Sequence, residues 1–343
     1  MKFSPIWSYI GGLAALAVLL VVPAVASNNY VVAVFTSILL FFILAALFDF
    51  NLGYLNIFNF GIAGFMALGA YTSALLSYHY GISPWYGLFA GGISTLILGF
   101  IAGVITLRLR GIYIGLTTLF LAEFVLFALS NFRDYTRGAS GLDVSTFPDL
   151  FGISFDRNNP LALYYVLVVI CVIIYSALHL IVRSRLGLIF RSIRDDQLGA
   201  SVLGFDVVRY KLINFSVASF FIGVVGAFYG NYIGILVPTP QEFGISRTTE
   251  ILTIAYIGGR GTLWGSLLGA FALIGLQEGF RIADEWRLVL YGAFLVFVLM
   301  VFPQGLAGGV KQLAHWCQTK FSKRARLDSV DSNNSQTKIR KDR

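Results

Sequence analysis

The 343-residue sequence has few charged residues. Only 12% of its residues are Asp, Glu, Lys or Arg, about half of the roughly 25% found in an ordinary soluble domain. A soluble fold of this length must cover its surface with charge, so the composition excludes a soluble enzyme, a nucleic-acid binder and a disordered protein. The two cysteines, Cys171 and Cys317, are too few for a disulfide framework.

The sequence also lacks the motifs of nucleotide and metal chemistry. It has no Gly-x-x-x-x-Gly-Lys-Ser/Thr phosphate loop and no Gly-x-Ser-x-Gly nucleophile elbow. The three histidines, His79, His179 and His315, are too far apart to give a metal-ligand spacing. We therefore expect no enzyme activity, no catalytic residue, no bound metal and no cofactor held by this chain.

Long apolar runs make up most of the chain, and 57% of its residues are apolar. Roughly 20 apolar residues in a helix cross a bilayer core, and continuous runs without period-two alternation exclude a β-barrel. We predict an all-α fold, a polytopic transmembrane helix bundle of about 8–10 spans. The candidate spans are residues 6–24, 30–48, 55–77, 86–107, 112–131, 161–182, 212–235, 246–258 (short), 262–280 and 287–303.

Basic residues between these spans indicate the orientation. Arg108 and Arg110 follow the fourth span, six basic residues lie in 183–211, and nine lie beyond the last span, so these regions are expected in the cytoplasm. The loop 132–160 holds three arginines and four aspartates and is expected outside. An alternating path then places both termini in the cytoplasm, provided that the short segment 246–258 crosses.

The amino terminus has two interpretations. Lys2, the apolar run after it and the sequence from Ala24 to Ser27 are similar to a signal peptide with a small-residue cleavage site. The single basic residue and the length of the run favour a retained first span.

Glycines and one mid-span carboxylate are the candidates for a solute path. Gly258 and Gly259 divide a short segment from a full one, where a broken helix is expected. Glu123 lies in the middle of a span, where a carboxylate is costly, whereas Glu250 and Glu278 lie near span ends. The predicted path residues are Asn59, Gly61, Gly64, Thr118, Glu123, Gly258 and Gly259. For each glycine, close helix packing is the alternative explanation.

Residues 183–211 form an amphipathic segment between two spans. Apolar residues recur near helical spacing with arginines between them, which predicts a short helix, a turn at Gly204 and a second turn. Such a helix lies on lipid headgroups or docks a soluble partner. Asp195 and Asp196 favour a protein partner, because acid beside anionic lipid is unfavourable.

This segment resembles the cytoplasmic coupling loop of ABC importer permeases, specifically those of the branched-chain amino acid importer family. The similarity covers most of residues 30–305 and is closest to the larger of the two permease subunits. The motifs that carry it are Asn59-Phe60-Gly61 through Gly69-Ala70-Tyr71, Leu107 to Tyr113, Arg137 to Leu142, Arg183 to Gly187, Arg191 to Asp196, Leu203 to Lys211 and Gly258 to Gly265.

The resemblance implies half of a heterodimeric pore in the cytoplasmic (inner) membrane. Its implied partners are a second homologous permease, two cytoplasmic ATP-binding subunits that hold ATP and magnesium, an extracytoplasmic solute-binding protein and membrane lipid, with no nucleic acid. Residues 1–305 would form the permease domain and 306–343 a disordered basic tail. The implied ATPase-coupling residues are Arg191, Arg194, Asp195, Asp196, Gln197, Gly199 and Gly204.

The solute stays open at this point. Branched-chain or other neutral amino acids are the expected class, and permeases for urea, amides or sugars have the same pattern. A stand-alone secondary transporter is a further alternative, but it would need ion-coupling residues in mid-membrane, where only Glu123 qualifies.

Overall fold

The computed structural model describes residues 28–106, 109, 111–150, 152–157 and 159–279, together with 292, 293, 296, 300 and 305–309. The predicted first span, almost all of the last span, the cleavage site, Arg108 and Arg110, and the tail from residue 310 lie outside the described residues. The two expectations for the amino terminus therefore stay predictions.

A bundle of apolar helices forms the described part of the chain, as predicted. The helices are α1 (Asn29–Leu55), α2 (Ile62–Tyr80), α3 (Pro84–Thr106), α4 (Ile112–Asn131), α5 (Arg133–Thr136), α6 (Pro160–Arg183), α7 (Arg185–Asp195), α8 (Gln197–Val202), α9 (Val207–Ile233), α10 (Pro240–Phe243), α11 (Ile245–Gly258) and α12 (Gly265–Gly279). Within the described residues, five helices (α1, α3, α4, α6 and α9) are long and apolar enough to cross a membrane.

The break between α1 and α2 differs from the prediction. α1 continues to Leu55 instead of ending at residue 48, and α2 begins only at Ile62, so the predicted span 55–77 is not continuous. Asn56 ends α1 in the left-handed conformation, with φ of 55°, and its N–H bonds back to carbonyls of the last turn. Asparagine tolerates this conformation and ends helices in this way.

The short segment at 246–258 is a helix of 14 residues, α11. At 1.5 Å per residue it is about 21 Å long, less than the roughly 30 Å of a hydrocarbon core. It lies between α10 and α12 and packs against α1 and α12. Its length explains why it is absent from the five spanning candidates.

Short strands and loops gather at one end of the bundle, here called the hairpin end (residues 132–159 and 234–244). β1 (Leu142–Asp143) pairs antiparallel with β4 (Ile235–Leu236), and β2 (Phe147–Leu150) pairs with β3 (Ile153–Phe155). The ring of Trp85, at the start of α3, lies 4.7 Å from that of Phe147. These two small sheets are the departure from an all-α fold.

The opposite end, here called the coupling end, contains residues 185–204 and 259–264. α1 joins the two ends: it packs against α6, α7, α9, α11 and α12. The loop 132–160 and the segment 183–211, which the charge pattern assigns to opposite sides of the membrane, therefore lie at opposite ends of the bundle.

Three glycines let α2, α3 and α9 approach one another. A Cβ at Gly69 would overlap the backbone of Gly223, and a Cβ at Gly223 would overlap the carbonyl oxygen of Gly91 and the hydroxyl of Thr95. Small residues at such crossings bring helix backbones into van der Waals contact, which is a main source of stability where lipid is the solvent.

The glycine crossing predicts a stability difference between two Gly→Ala substitutions. Gly223→Ala forces the α3–α9 pair apart and should destabilise the protein by about 1–3 kcal/mol, the usual cost of overpacking. Gly275→Ala is the matched control, because no described residue lies within 4 Å of a Cβ placed there. Thermal unfolding of the purified chain checks this: equal melting temperatures for the two variants would contradict the assigned packing.

Candidate functional site

The segment 183–211 folds as two short helices joined by capped turns. The Ser184 hydroxyl accepts a hydrogen bond from Leu186 N (3.2 Å) at the start of α7. The Asp196 carboxylate accepts one from Leu198 N (3.0 Å) and so caps α8. Gly204 has a φ of 86° and makes the turn that leads to α9. The first helix and the turn at Gly204 lie where the sequence predicts them, and the structure adds a second short helix, α8, before that turn.

α7 and α8 present opposite faces to the bundle and to the outside. Phe190 and Ile193 are fully buried, and the Phe190 ring meets Phe50 of α1 edge-on at 6.0 Å. The other face exposes an apolar surface, here called the apolar patch: Leu188 (63% exposed), Leu198 (69%), Val202 (86%) and Leu203 (74%). Leu198 and Val202, which continue the apolar spacing in the sequence, therefore face outward.

Two of the predicted coupling arginines bind the bundle. Arg194 donates from Nη1 to the carbonyl oxygen of Gly53 (2.8 Å) and from Nε to Asp195 Oδ1 (2.9 Å). Arg191 donates to the carbonyl oxygen of Val182 (2.9 Å). These side chains attach α7 to α1 and α6, whereas Asp195 and Asp196 are exposed.

A buried carboxylate connects the same point to the loop between α11 and α12. Asp49 Oδ1 accepts a hydrogen bond from Gly261 N (2.8 Å). Gly53 approaches Gly261 so closely that a Cβ would overlap its backbone, and Gly261 has a φ of 74°. Asp49, Gly53, Arg194 and Gly261 are here called the Asp49 joint. Sequence reasoning missed Asp49, because the predicted span ended one residue before it.

The predicted break at Gly258 and Gly259 lies beside this joint. α11 ends at Gly258, Gly259 has a φ of 108°, and α12 begins at Gly265. A Cβ at Gly258 would overlap Gly265, so the two helices cross at their glycines. The break therefore belongs to the coupling end of the bundle.

The other predicted path residues, except Glu123, hold α2 against α4. Asn59 is buried and accepts a hydrogen bond from Gly61 N (3.2 Å), and the Thr118 hydroxyl accepts one from Phe60 N (3.1 Å). A Cβ at Gly61 would overlap the Thr118 carbonyl, and one at Gly64 would overlap Ala122. The structure thus brings Asn59, Gly61, Gly64 and Thr118 together between α2 and α4, whereas the Gly258–Gly259 break lies between α11 and α12.

Glu123 lies half-buried on α4, with exposed aromatic side chains on the same helix. These are Phe120, Phe124 and Phe127. The carboxylate is therefore on the side of α4 that the described residues leave partly uncovered.

An ion-pair network near the hairpin end is a second group that sequence reasoning missed. Arg247 Nη1 lies 3.0 Å from Glu250 Oε2, and Arg247 Nη2 lies 3.0 Å from Glu242 Oε2. The guanidinium stacks over the Phe41 ring, 5.1 Å from its centre, and Gln277 donates to Glu250 Oε1 (3.1 Å). From the sequence, Glu250 is predicted only to lie near the start of a short span. Nothing in the sequence indicates that the side chains of this ion-pair network come together.

The Asp49 joint predicts an order of stabilities. Asp49→Ala leaves the Gly261 N–H without its acceptor and should cost about 1–3 kcal/mol, the penalty for an unsatisfied buried group. Asp49→Asn keeps an oxygen acceptor and should cost less. Asp134→Ala, at an exposed position of the hairpin end, is the control. Thermal unfolding should rank wild type and control first, then Asp49→Asn, then Asp49→Ala; an unchanged Asp49→Ala would contradict the joint.

Comparison of the sequence with known proteins identifies the family of the chain. Residues 30–299 match the family described as branched-chain amino acid transport system / permease component. The chain is 29% identical, over 72% of its length, to the high-affinity branched-chain amino acid transport system permease protein LivM of Escherichia coli, of which it spans 62%. It is 26% identical, over 52% of its length, to the permease LivH of the same organism, covering 60% of that protein.

A sugar permease is also similar. The fructose import permease protein FrcC of Rhizobium meliloti is 22% identical over 70% of this chain and 68% of its own length. No solved structure matches the chain. Because the family match extends over most of the sequence and includes every helix described above, the chain is a multi-pass membrane protein that belongs to the branched-chain amino acid transport system permease family.

Proposed function

We propose that the chain is one membrane-spanning permease subunit of an ATP-driven importer of branched-chain or other hydrophobic neutral amino acids. A second homologous permease, two ATP-binding subunits, which hold ATP and magnesium, and an extracytoplasmic solute-binding protein complete the importer in the cytoplasmic membrane. The observation that carries this proposal is the apolar patch in the segment of α7 and α8, which also contributes Arg194 to the Asp49 joint.

The apolar patch suits a soluble protein partner. Four large apolar side chains are exposed on α7, α8 and the residue after α8, and exposed apolar surface of this kind marks an interaction site. Asp195 and Asp196 lie exposed in the same segment, which disfavours anionic headgroups as the occupant. Gln197 and Gly199 lie in α8, and Gly204 lies in the turn after it. An ATP-binding subunit that binds the apolar patch therefore also contacts these predicted coupling residues.

The Asp49 joint gives the docked motor a route into the bundle. A displacement of α7 moves Gly53 of α1, because Arg194 is hydrogen-bonded to the Gly53 carbonyl oxygen. The displacement of α1 in turn moves the loop between α11 and α12, because Asp49 is hydrogen-bonded to Gly261. α1 packs against α6, α9, α11 and α12, so these helices move with it. The chain converts partner motion into a change of helix tilt and hydrolyses no ATP itself.

The exposed side of α4 is the proposed solute path, at the contact with the second permease. A carboxylate in hydrocarbon costs several kcal/mol, so the side that carries Glu123 faces protein or water rather than lipid. Asn59, Gly61, Gly64 and Thr118 support α4 from behind, and the Gly258–Gly259 break supplies a flexible point at the coupling end. In this arrangement the coupling end and both termini are cytoplasmic, with about 8–10 spans in total.

Substitution in the apolar patch should uncouple the motor without unfolding the permease. Leu198→Glu with Val202→Glu should lower co-purification of the ATP-binding subunits and ATP-driven uptake at least tenfold, about 1.4 kcal/mol of binding. Tyr80→Glu, at an exposed position of the opposite end, is the control. Retention of the ATPases by the double variant at an unchanged melting temperature would overturn the docking assignment.

Glu123 gives a separate test of the path. Glu123→Gln and Glu123→Ala should each reduce leucine uptake by about tenfold, because a mid-membrane carboxylate is retained for function rather than for stability. Thr117→Ala, a half-buried position on the same helix, is the control. Normal uptake by both Glu123 variants removes this residue from the path.

Sugar import is the second candidate function, and the similarity to the fructose permease favours it. Proteoliposomes with the complete importer should accumulate leucine and not fructose; the reverse result establishes the sugar. Accumulation by the single chain without ATP-binding subunits would replace the whole proposal with a secondary transporter.

A further inference from the structure

A cavity opens at the hairpin end, where the chain leaves α9, passes through β4 and enters α10. Its volume is about 280 Å³, and its walls include Ile233, Leu236, Val237, Thr239, Glu242 and Phe243. The pairing of β4 with β1 fixes one wall, since Leu236 lies opposite Leu142 in that ladder. Pockets for drug-sized molecules begin near 300 Å³, so this cavity suits a smaller solute.

Glu242 is the acidic group in an otherwise largely apolar wall. Its side chain is 39% exposed. The Tyr229 hydroxyl and the Arg247 guanidinium both bind Oε2, and these two bonds hold the carboxylate in place. Within the described residues, both of these side-chain bonds go to Oε2 rather than to Oε1.

The charges around Glu242 favour a cation. Arg247 is shared between Glu242 and Glu250, so this cluster of the described residues contains two carboxylates and one guanidinium. The Glu242 carboxylate itself attracts a positive group, and a carboxylate that binds a cation forms a short, strong hydrogen bond with it.

A guanidinium lies beside the next part of the wall. Arg157 packs against Gly234, the residue between Ile233 and Ile235, so closely that a Cβ there would overlap it. Its Nη2 donates to the carbonyl oxygen of Val144, which anchors the side chain. A small solute in the cavity therefore meets the Glu242 carboxylate and apolar side chains. Arg157 lies outside the lining residues, against the backbone of Gly234, which joins two of them.

We propose that this cavity is an outer subsite that holds a small zwitterion with an apolar side chain. The ammonium group binds Glu242, the side chain lies against Leu236 and Phe243, and the carboxylate lies toward Arg157. The inference rests on the proposed function. It adds a site on this chain where the solute binds after the solute-binding protein has released it at the outer end.

Photo-crosslinking tests the subsite directly. The full chain in lipid nanodiscs, without a solute-binding protein, is irradiated with photo-leucine, a leucine whose side chain carries a diazirine, and labelled peptides are mapped by mass spectrometry. We expect the label in residues 233–243, with competition by L-leucine and none by 4-methylpentanoate, which lacks the ammonium group. Label confined to other segments, or equal competition by both compounds, overturns the proposal.

Two variants address the cavity independently. Glu242→Gln removes the charge and should lower labelling of residues 233–243 at least tenfold. Val237→Trp fills the cavity while Glu242 keeps its partners, and should lower labelling to the same extent even if Glu242→Gln fails to fold. Asp134→Asn, an exposed acid of the hairpin end, should leave labelling unchanged. Full labelling of a folded Val237→Trp variant overturns the proposal.

ATP-driven uptake by the complete importer, measured on the same preparations, separates this inference from the proposed function. Normal leucine uptake without label in residues 233–243 rejects the subsite and leaves the importer assignment standing. Specific label there without ATP-driven uptake supports the subsite and rejects the assignment.

Discussion

A buried carboxylate must be given a hydrogen-bond partner, and the way Asp49 finds one fixes the geometry of the coupling end. Its partner is the backbone N–H of Gly261, which comes within reach because neither Gly53 nor Gly261 has a side chain to keep the backbones apart. The same close approach leaves the carbonyl oxygen of Gly53 free for Arg194. Asp49 and Arg194 together thus tie α1, α7 and the loop before α12 into a single unit.

α1 is held by charge at both ends of its buried stretch. Near the coupling end it contributes Asp49, and farther toward the hairpin end it places the Phe41 ring under Arg247. Between these points its contacts are apolar and close-packed, and such packing is what holds helices together in lipid. The polar contacts therefore add two fixed points of attachment to a helix that already moves with its neighbours.

The sequence predicts the class of fold and the coupling segment, because both depend on local patterns of hydropathy and charge. The turn at Gly204 and the end of α11 at Gly258 follow from glycine in the same way. The break after Leu55 does not, since Asn56 acts through a left-handed residue inside an apolar run. Arg247 and its partners come from four helices, and a single sequence does not show that residues 229, 242, 250 and 277 meet.

α11 also has a consequence for biogenesis. Its 14 residues include Arg247 and Glu250, so it is both too short and too polar to partition into lipid unaided as it leaves the ribosome. Gln277 of α12 donates a hydrogen bond to Glu250, and the Arg247 guanidinium stacks on Phe41 of α1. α11 therefore depends on contacts with α12 and α1 for a stable place in the bundle.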